Sequence, residues 1–316
     1  MRKFLRGSTF ASVLGALVVF AGTTYAAEAL QKPDNLSLWK SYSSTFAKAK
    51  YIDLTHAISP VTPTGPDFGA LQFSTAHLHG NASELAFDYP SVGAGITAYV
   101  LPTDQVGTQL DPPAHGNDHG ATISEFPATV AVRPLVVINM AEKTSADNGA
   151  VAQMADIRAW EAKHGPIPLG SVVMFRTDWY KRWPSQEAFN AKPFPGISME
   201  VLEFLHMQRH ILFHGHETYN TDMSPTYAAE KWLFHHNFAQ AEGVANLDKV
   251  PESGALIAIG FAKLEGGTGG YARYVAIAPS SWPYGVTIEQ APGAPMPTHE
   301  HPLARDTDGV LRETKD

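Results

Sequence analysis

The chain has 316 residues, with 31 Asp and Glu against 23 Lys and Arg, a formal charge of −8, and no cysteine. An acidic chain without a basic patch argues against nucleic acid and anionic membrane surfaces as partners. The lack of cysteine excludes disulfides, thiolate zinc sites, a cysteine nucleophile and a lipidated cysteine, so any metal must rest on His, Asp, Glu or amide oxygens.

The N-terminus reads as a leader. MRKFLR is basic, FASVLGALVVFAG is apolar, and TTYAAEA offers small residues for cleavage after Ala26. Residues 1–26 are therefore expected to be a Sec-type signal peptide, placing the mature chain in a bacterial periplasm or outside the cell. No later run approaches the ~20 apolar residues of a membrane span. Residues 27–49 read as an N-terminal extension, 50–280 as one domain, and 281–316 as a Pro-rich tail that wraps the surface or reaches a partner subunit, its last dozen residues disordered.

Eight segments carry strand character: YIDLTHAI, LQFSTAHLH, GITAYVLP, AVRPLVVINM, GSVVMFRTDW, HILFHG, GALIAIGFAKL and YARYVAIAP. Each is rich in β-branched or aromatic residues and bounded by turn formers. Three helices are predicted, over MADIRAWEAKHG, over SMEVLEFLHMQRH with Ser198 as cap, and over SPTYAAEKWLFHHN with Ser224 as cap and Asn237 as exit. Many strands and few helices predict an α/β or α+β domain on a mixed sheet.

Three constellations could carry chemistry. In GTQLDPPAH, Asp111 and His115 stand four residues apart in what reads as a stiff Gly/Pro loop. This is either a preorganised metal and catalytic loop or a turn capped by Asp111. EKWLFHHN and the run after it contain Glu230, His235, His236 and Glu242; the two histidines suit a helix end, where a cation complements the dipole. HGHETYNTD sets His214 and His216 on one face of a strand end. The glycines of GGTGGYARYVAI lead into a strand and not a helix, so they read as a tight turn and not a phosphate loop.

In order and spacing, DLTHAI, GTQLDPPAH, VVMFRTDWY, PGISMEVLEFL, HGHETYNTD and EGVANLDKVPESGALIAIGFAKLEGGTGGYARYVAIAP resemble the cyclase-like metal-dependent hydrolases, the family of kynurenine formamidase and isatin hydrolase. The resemblance covers residues 50–280 and implies the swivelling β/β/α fold, a homodimer or homotetramer, and a metal-activated water. The family pattern His-x-Gly-Thr-His-x-Asp-x-Pro-x-His places Asp111 on a metal carboxylate and His115 on the catalytic histidine. Its two ligand histidines fall on Gln105 and Gln109. Its further ligand pair, His and Glu twelve residues apart, falls on Glu230 and Glu242.

The implied ligand set, Gln105, Gln109, Asp111, Glu230 and Glu242, is entirely oxygen. Such a set favours manganese, with magnesium or zinc as alternatives, and three converging carboxylates would repel one another without a cation. The expected activity is hydrolysis of an amide, lactam or ester, with His115 taking a proton from water and returning it to the leaving group. A metal-dependent lyase or cyclase, and a catalytically silent periplasmic binding protein, are the alternatives. His216 and Glu217 are expected beside the site. Trp179, Trp183 and Phe194 are expected either as an aromatic wall for an aromatic or apolar small-molecule substrate or as core.

Overall fold

A computed structural model describes residues 37–65, 67–288 and 296–315. The expected signal peptide and the first part of the extension lie outside the described residues. The residues from Tyr42 onward form one compact unit, and every strand among the described residues belongs to it.

Eight strands form the main sheet: β1 (Lys50–Asp53), β2 (Gln109–Asp111), β3 (Val132–Asn139), β4 (Val172–Arg176), β5 (Phe213–His216), β6 (Ala239–Glu242), β7 (Ala255–Phe261) and β8 (Gly270–Ala278). Their order is β1-β8-β7-β3-β4-β5-β6-β2, and β2 also pairs with β8, so the sheet closes into a barrel-like form. β3, β4, β5 and β6 run parallel, and the remaining pairings are antiparallel. This is the mixed α/β domain with few helices that the sequence predicts. Two of its strands, β2 and β6, fall where the sequence suggested a loop and a short extended run.

Closure sorts the side chains, because alternate residues of a strand face opposite sides. Leu110, Leu135, Val137, Met174, Ala241 and Tyr274 belong to the cluster on the enclosed side. Val136, Ile138, Val173 and Phe175 face the other way and pack with α1 (Met154–His164) and α2 (Met199–Glu203). Each fully buried aliphatic side chain contributes about 1.5–3 kcal/mol. Gly215 is required by close approach, since an added Cβ would stand 2.4 Å from Met174 Sδ and 2.8 Å from Ala241 Cβ.

Ser198 caps α2 as expected, its side chain accepting from the Val201 amide. The helix expected from Ser224 starts later, and α3 covers Ala228–His235. Tyr227 takes φ 50°, outside the helical region, while Ser224 Oγ accepts from the Ala228 amide at 2.8 Å. Asn237 makes the left-handed exit, φ 61°. The tail is more ordered than expected: Leu303–Arg305 pairs antiparallel with Leu311–Glu313, and Gly309 takes φ 83° in the turn. Trp282 fastens the start of the tail by donating Nε1–H to the Lys249 carbonyl at 2.6 Å.

Candidate functional site

The outer face of β2, β6 and β5 is polar because its inner face is not. Leu110 and Ala241 enter the enclosed cluster, so their neighbours Gln109, Asp111, Gln240 and Glu242 must face outward. Strand register sets Gln240 opposite Asp111 and Glu242 opposite Gln109, with His214 beside Gln240. α3 covers this face and brings Glu230 down onto it, buried like the others. Gln109, Asp111, Glu230 and Glu242, far apart in sequence, are thereby gathered as the resemblance implied. Gln240 joins them unforeseen; its only sequence signal was its place two residues before Glu242 in a strand.

Two glutamine amides bridge the carboxyls. Gln109 Nε2 donates to Asp111 Oδ1 at 3.2 Å and to Glu242 Oε2 at 2.8 Å. One terminal atom of the Gln240 amide lies 3.3 Å from Asp111 Oδ2, 3.2 Å from Glu230 Oε1 and 2.7 Å from Glu242 Oε1, and the other faces Thr221 Oγ1. Burial raises Asp111 to about 7 against the lowering effect of the Gln240 hydrogen bond, and it raises Glu230 to about 7 as well. Glu242 stands well above the usual carboxyl range through burial and the charges of Asp111 and Glu230. Without a cation, then, shared protons and the N–H groups of Gln109 relieve the repulsion. The three carboxyls alone do not compel a metal.

Gln105 plays a different part from the one expected. It makes its hydrogen bonds to His115 Nδ1 and, at 3.0 Å, to the Thr268 carbonyl, and none to the carboxyls. The Thr268 carbonyl can only accept, so the Gln105 nitrogen is the end that faces both partners. The glycine-rich turn holds this arrangement. Asp104 Oδ2 accepts from the amides of Thr268 and Gly269 at 2.9 Å each, and a Cβ on Gly269 would stand 2.5 Å from Gln105 Cγ. His115 closes a 3-10 turn, Pro113–His115, with its ring edge-on to Phe234 at 5.1 Å. Burial holds it below the ordinary imidazole value, against the raising pull of Glu230 and Asp104. With Nδ1 accepting from Gln105, neutral His115 carries its hydrogen on Nε2.

The other residues singled out in the sequence stand behind the site. His216 is buried against Thr221 and Thr218. Glu217 Oε2 ties down the following segment by accepting from the Thr177 amide, Thr177 Oγ1 and the Trp179 amide at 2.7–3.2 Å. Trp179 is 1 % exposed, donates Nε1–H to the Phe189 carbonyl and carries the Arg182 guanidinium 3.5 Å above its ring. With Phe189, Phe194 and Trp183 it forms a small core cluster, which corrects the aromatic-wall reading. His235 and His236 are exposed at the end of α3, as the helix-end reading requires.

A cavity of about 410 Å³ opens onto the cluster, bounded by Gln105, Gln109, His115, Glu230 and Glu242 on the polar side. Phe68, Tyr219, Tyr227 and Phe234 form its aromatic wall. The size suits a small organic ligand. Among the described residues, no three His, Asp or Glu side chains converge into a metal site by themselves. The donor set fits a hard divalent ion once amide oxygens are counted: Gln109 Oε1 is buried without a partner, and raised carboxyls are ready to exchange protons for a cation.

The family described as "Putative cyclase" matches residues 52–223. Isatin hydrolase of Roseibium aggregatum is 30% identical over 252 residues, covering 74% of this chain and 94% of that protein. Isatin hydrolase A from Labrenzia aggregata, solved with benzyl benzoate, superposes with a TM-score of 0.67 at 27% identity over 77% of this chain and 100% of its own. An isatin hydrolase bound to the product analogue thioisatinate gives 0.66 at 28% identity over 77% and 96% of the two chains.

Proposed function

The chain belongs to the cyclase family that includes the isatin hydrolases, and from that premise we propose that it is a secreted, metal-dependent hydrolase of an amide, lactam or ester bond in an aromatic or apolar small molecule. The observation that carries this reading is the meeting of His115 with Gln109, Glu230 and Glu242 at one aromatic-walled cavity. Gln109, Asp111, Glu230 and Glu242 would hold the ion, and Gln105 would not. Manganese is the proposed ion, because the donors are oxygens. When bound, it supplies a Lewis acid for the scissile carbonyl and lowers the pKa of water.

The chain's own groups divide the work. Glu230 lies on the cavity wall with a carboxyl near neutrality, and its Oε1 is engaged by the Thr221 amide at 2.8 Å. Its Oε2 would take the proton of the attacking water and return it to the departing nitrogen or oxygen. His115 presents Nε2–H as a hydrogen-bond donor to the departing nitrogen or oxygen and keeps that proton. This replaces the proton transfer expected of His115 with hydrogen bonding, because Gln105 occupies the lone pair on Nδ1 and Nε2 carries the ring hydrogen. Phe68, Tyr219, Tyr227 and Phe234 orient a flat substrate and exclude bulk water. A leader at residues 1–26 and assembly into a homodimer or homotetramer belong to the same proposal.

The test is a panel of lactams, aryl formamides and aryl esters, incubated with manganese-loaded protein in ¹⁸O-water. Hydrolysis predicts one solvent oxygen in a newly formed carboxylate. A product without solvent oxygen would support the lyase reading, and no turnover with any substrate would leave a binding protein.

A further inference from the structure

Thr221 joins the carboxyl cluster to a buried row of histidines. Its Oγ1 has three neighbours: the Gln240 amide at 2.7 Å, His216 Nε2 at 2.9 Å and His214 Nε2 at 3.0 Å. A hydroxyl has one proton to give and two lone pairs to receive. One neighbour must therefore accept and the other two must donate.

His216 decides which. Its Nδ1 lies 3.0 Å from the Thr218 carbonyl, which can only accept. It lies equally far from Thr218 Oγ1, whose own proton goes to the Asn220 carbonyl at 3.1 Å. Nδ1 must carry the ring hydrogen. The ring is fully buried, which pushes its pKa down to about 4, so at neutral pH Nε2 is bare. The Thr221 proton therefore goes to His216. His214 must donate through Nε2, and its Nδ1 is left to face His206 Nε2 at 3.3 Å as the acceptor.

The Gln240 amide is then the second donor to Thr221. Amide nitrogen and oxygen are told apart only by their partners, and here the partners require the nitrogen to face Thr221. Resting on the metal-dependent reading above, we propose that Gln240 turns its amide oxygen toward Asp111, Glu230 and Glu242 and is a ligand of the divalent ion, held in that orientation by Thr221. The turned oxygen stands 2.7–3.3 Å from one oxygen of each carboxyl. Ligand oxygens around an octahedral ion with bonds of about 2.1 Å are spaced at about 3 Å. An amide oxygen at that spacing from three carboxyl oxygens, with no imidazole among them, suits a hard cation such as manganese or magnesium.

The test is calorimetric titration of manganese into the purified protein and its variants at pH 7.5, with melting temperature as a second readout. Gln240→Leu should weaken manganese binding at least tenfold. Gln240→Glu, which keeps an oxygen at the same place, should bind as tightly or more so. Thr221→Val keeps the backbone amide that meets Glu230 and removes only the hydroxyl that holds the Gln240 amide, so it should weaken binding severalfold by releasing that amide. Parent-like affinity in Gln240→Leu would overturn the assignment while leaving the metal reading in place. If that variant does not fold, a tenfold loss in Gln240→Glu overturns it instead. A parent protein that binds neither manganese, magnesium nor zinc would overturn the metal reading itself.

Discussion

Gln105 donates an amide hydrogen to Nδ1 of His115 while the Thr268 carbonyl holds the same nitrogen at 3.0 Å, so the neutral imidazole is fixed as the Nε2–H tautomer. A residue at a position where the resemblance implies a metal ligand thus orients the imidazole proposed to act on the substrate. His115→Ala should lower kcat by about 10²- to 10³-fold, the usual worth of one positioned donor to developing charge, with manganese binding intact. Gln105→Leu should lower kcat by about 10- to 100-fold, the scale for losing a group that orients an imidazole, and leave KM near its parent value. Steady-state kinetics with metal titration checks both, and full activity in His115→Ala would remove it from the mechanism.

Glu242 is the most strained member of the cluster, raised by burial and by the charges of Asp111 and Glu230. Glu242→Gln should therefore act with opposite signs on stability and on metal binding. The metal-free variant should melt higher than the parent at pH 8, by about 2–4 °C for each kcal/mol of relieved repulsion. Its manganese affinity should fall at least tenfold. Unchanged affinity would show that Glu242 is not a ligand.

Gln109 contributes an amide where an imidazole would bring a borderline nitrogen donor. Gln109→His should shift preference from manganese toward zinc. Competition titration with the two ions measures this, and an unchanged ratio would show that Gln109 lies outside the coordination shell.

The buried groups also set a pH dependence for the metal-free protein. Asp111, Glu217 and Glu230 each stand at about 7 when folded and Glu242 stands higher, so these carboxyls bind more protons folded than unfolded. Their stabilisation is complete at low pH and is lost as pH rises through those values. His56 and His216 at about 4, His206 at about 3, and His214, pushed well below the ordinary imidazole value by burial, run the other way and lose stability as pH falls below that value. The two sets oppose each other in mildly acid solution, and only the carboxyls act above about 6.5. The melting temperature without metal should fall between pH 6.5 and 8.5, and manganese should restore it. A flat profile without metal would contradict the raised carboxyls.

Gly243 follows Glu242 with φ 59°, and a Cβ there would stand 2.5 Å from the Gly107 carbonyl oxygen. This is where the two chain segments of the site touch. Gly243→Ala should cost about 1–3 kcal/mol through left-handed strain and the clash, and it should displace the segment carrying Gln105 and Gln109. Chemical denaturation gives the first effect. Weakened manganese binding gives the second, and parent-like values in both would mean that the backbone absorbs the methyl group.

The sequence alone determined what local chemistry dictates. Alternation and β-branched residues marked β3, β4, β7 and β8; Ser198 and Asn237 marked helix ends; and the composition limited any metal to His, Asp, Glu and amide oxygens. The spaced pattern around Asp111 and His115 marked where to look. Tertiary structure decided the rest, because the remaining relations join residues that no local signal connects. β2 is a strand because β6 and β8 flank it, though Gly and Pro around it read as a loop. Gln240 enters the cluster because barrel closure drives Ala241 inward and so turns Gln240 out beside Asp111. Gln105 turns to His115 because the Thr268 carbonyl, contributed by a turn distant in sequence, takes its nitrogen. Which glutamine meets the carboxyls and which meets a histidine is set by these neighbours, and a spacing pattern cannot encode them.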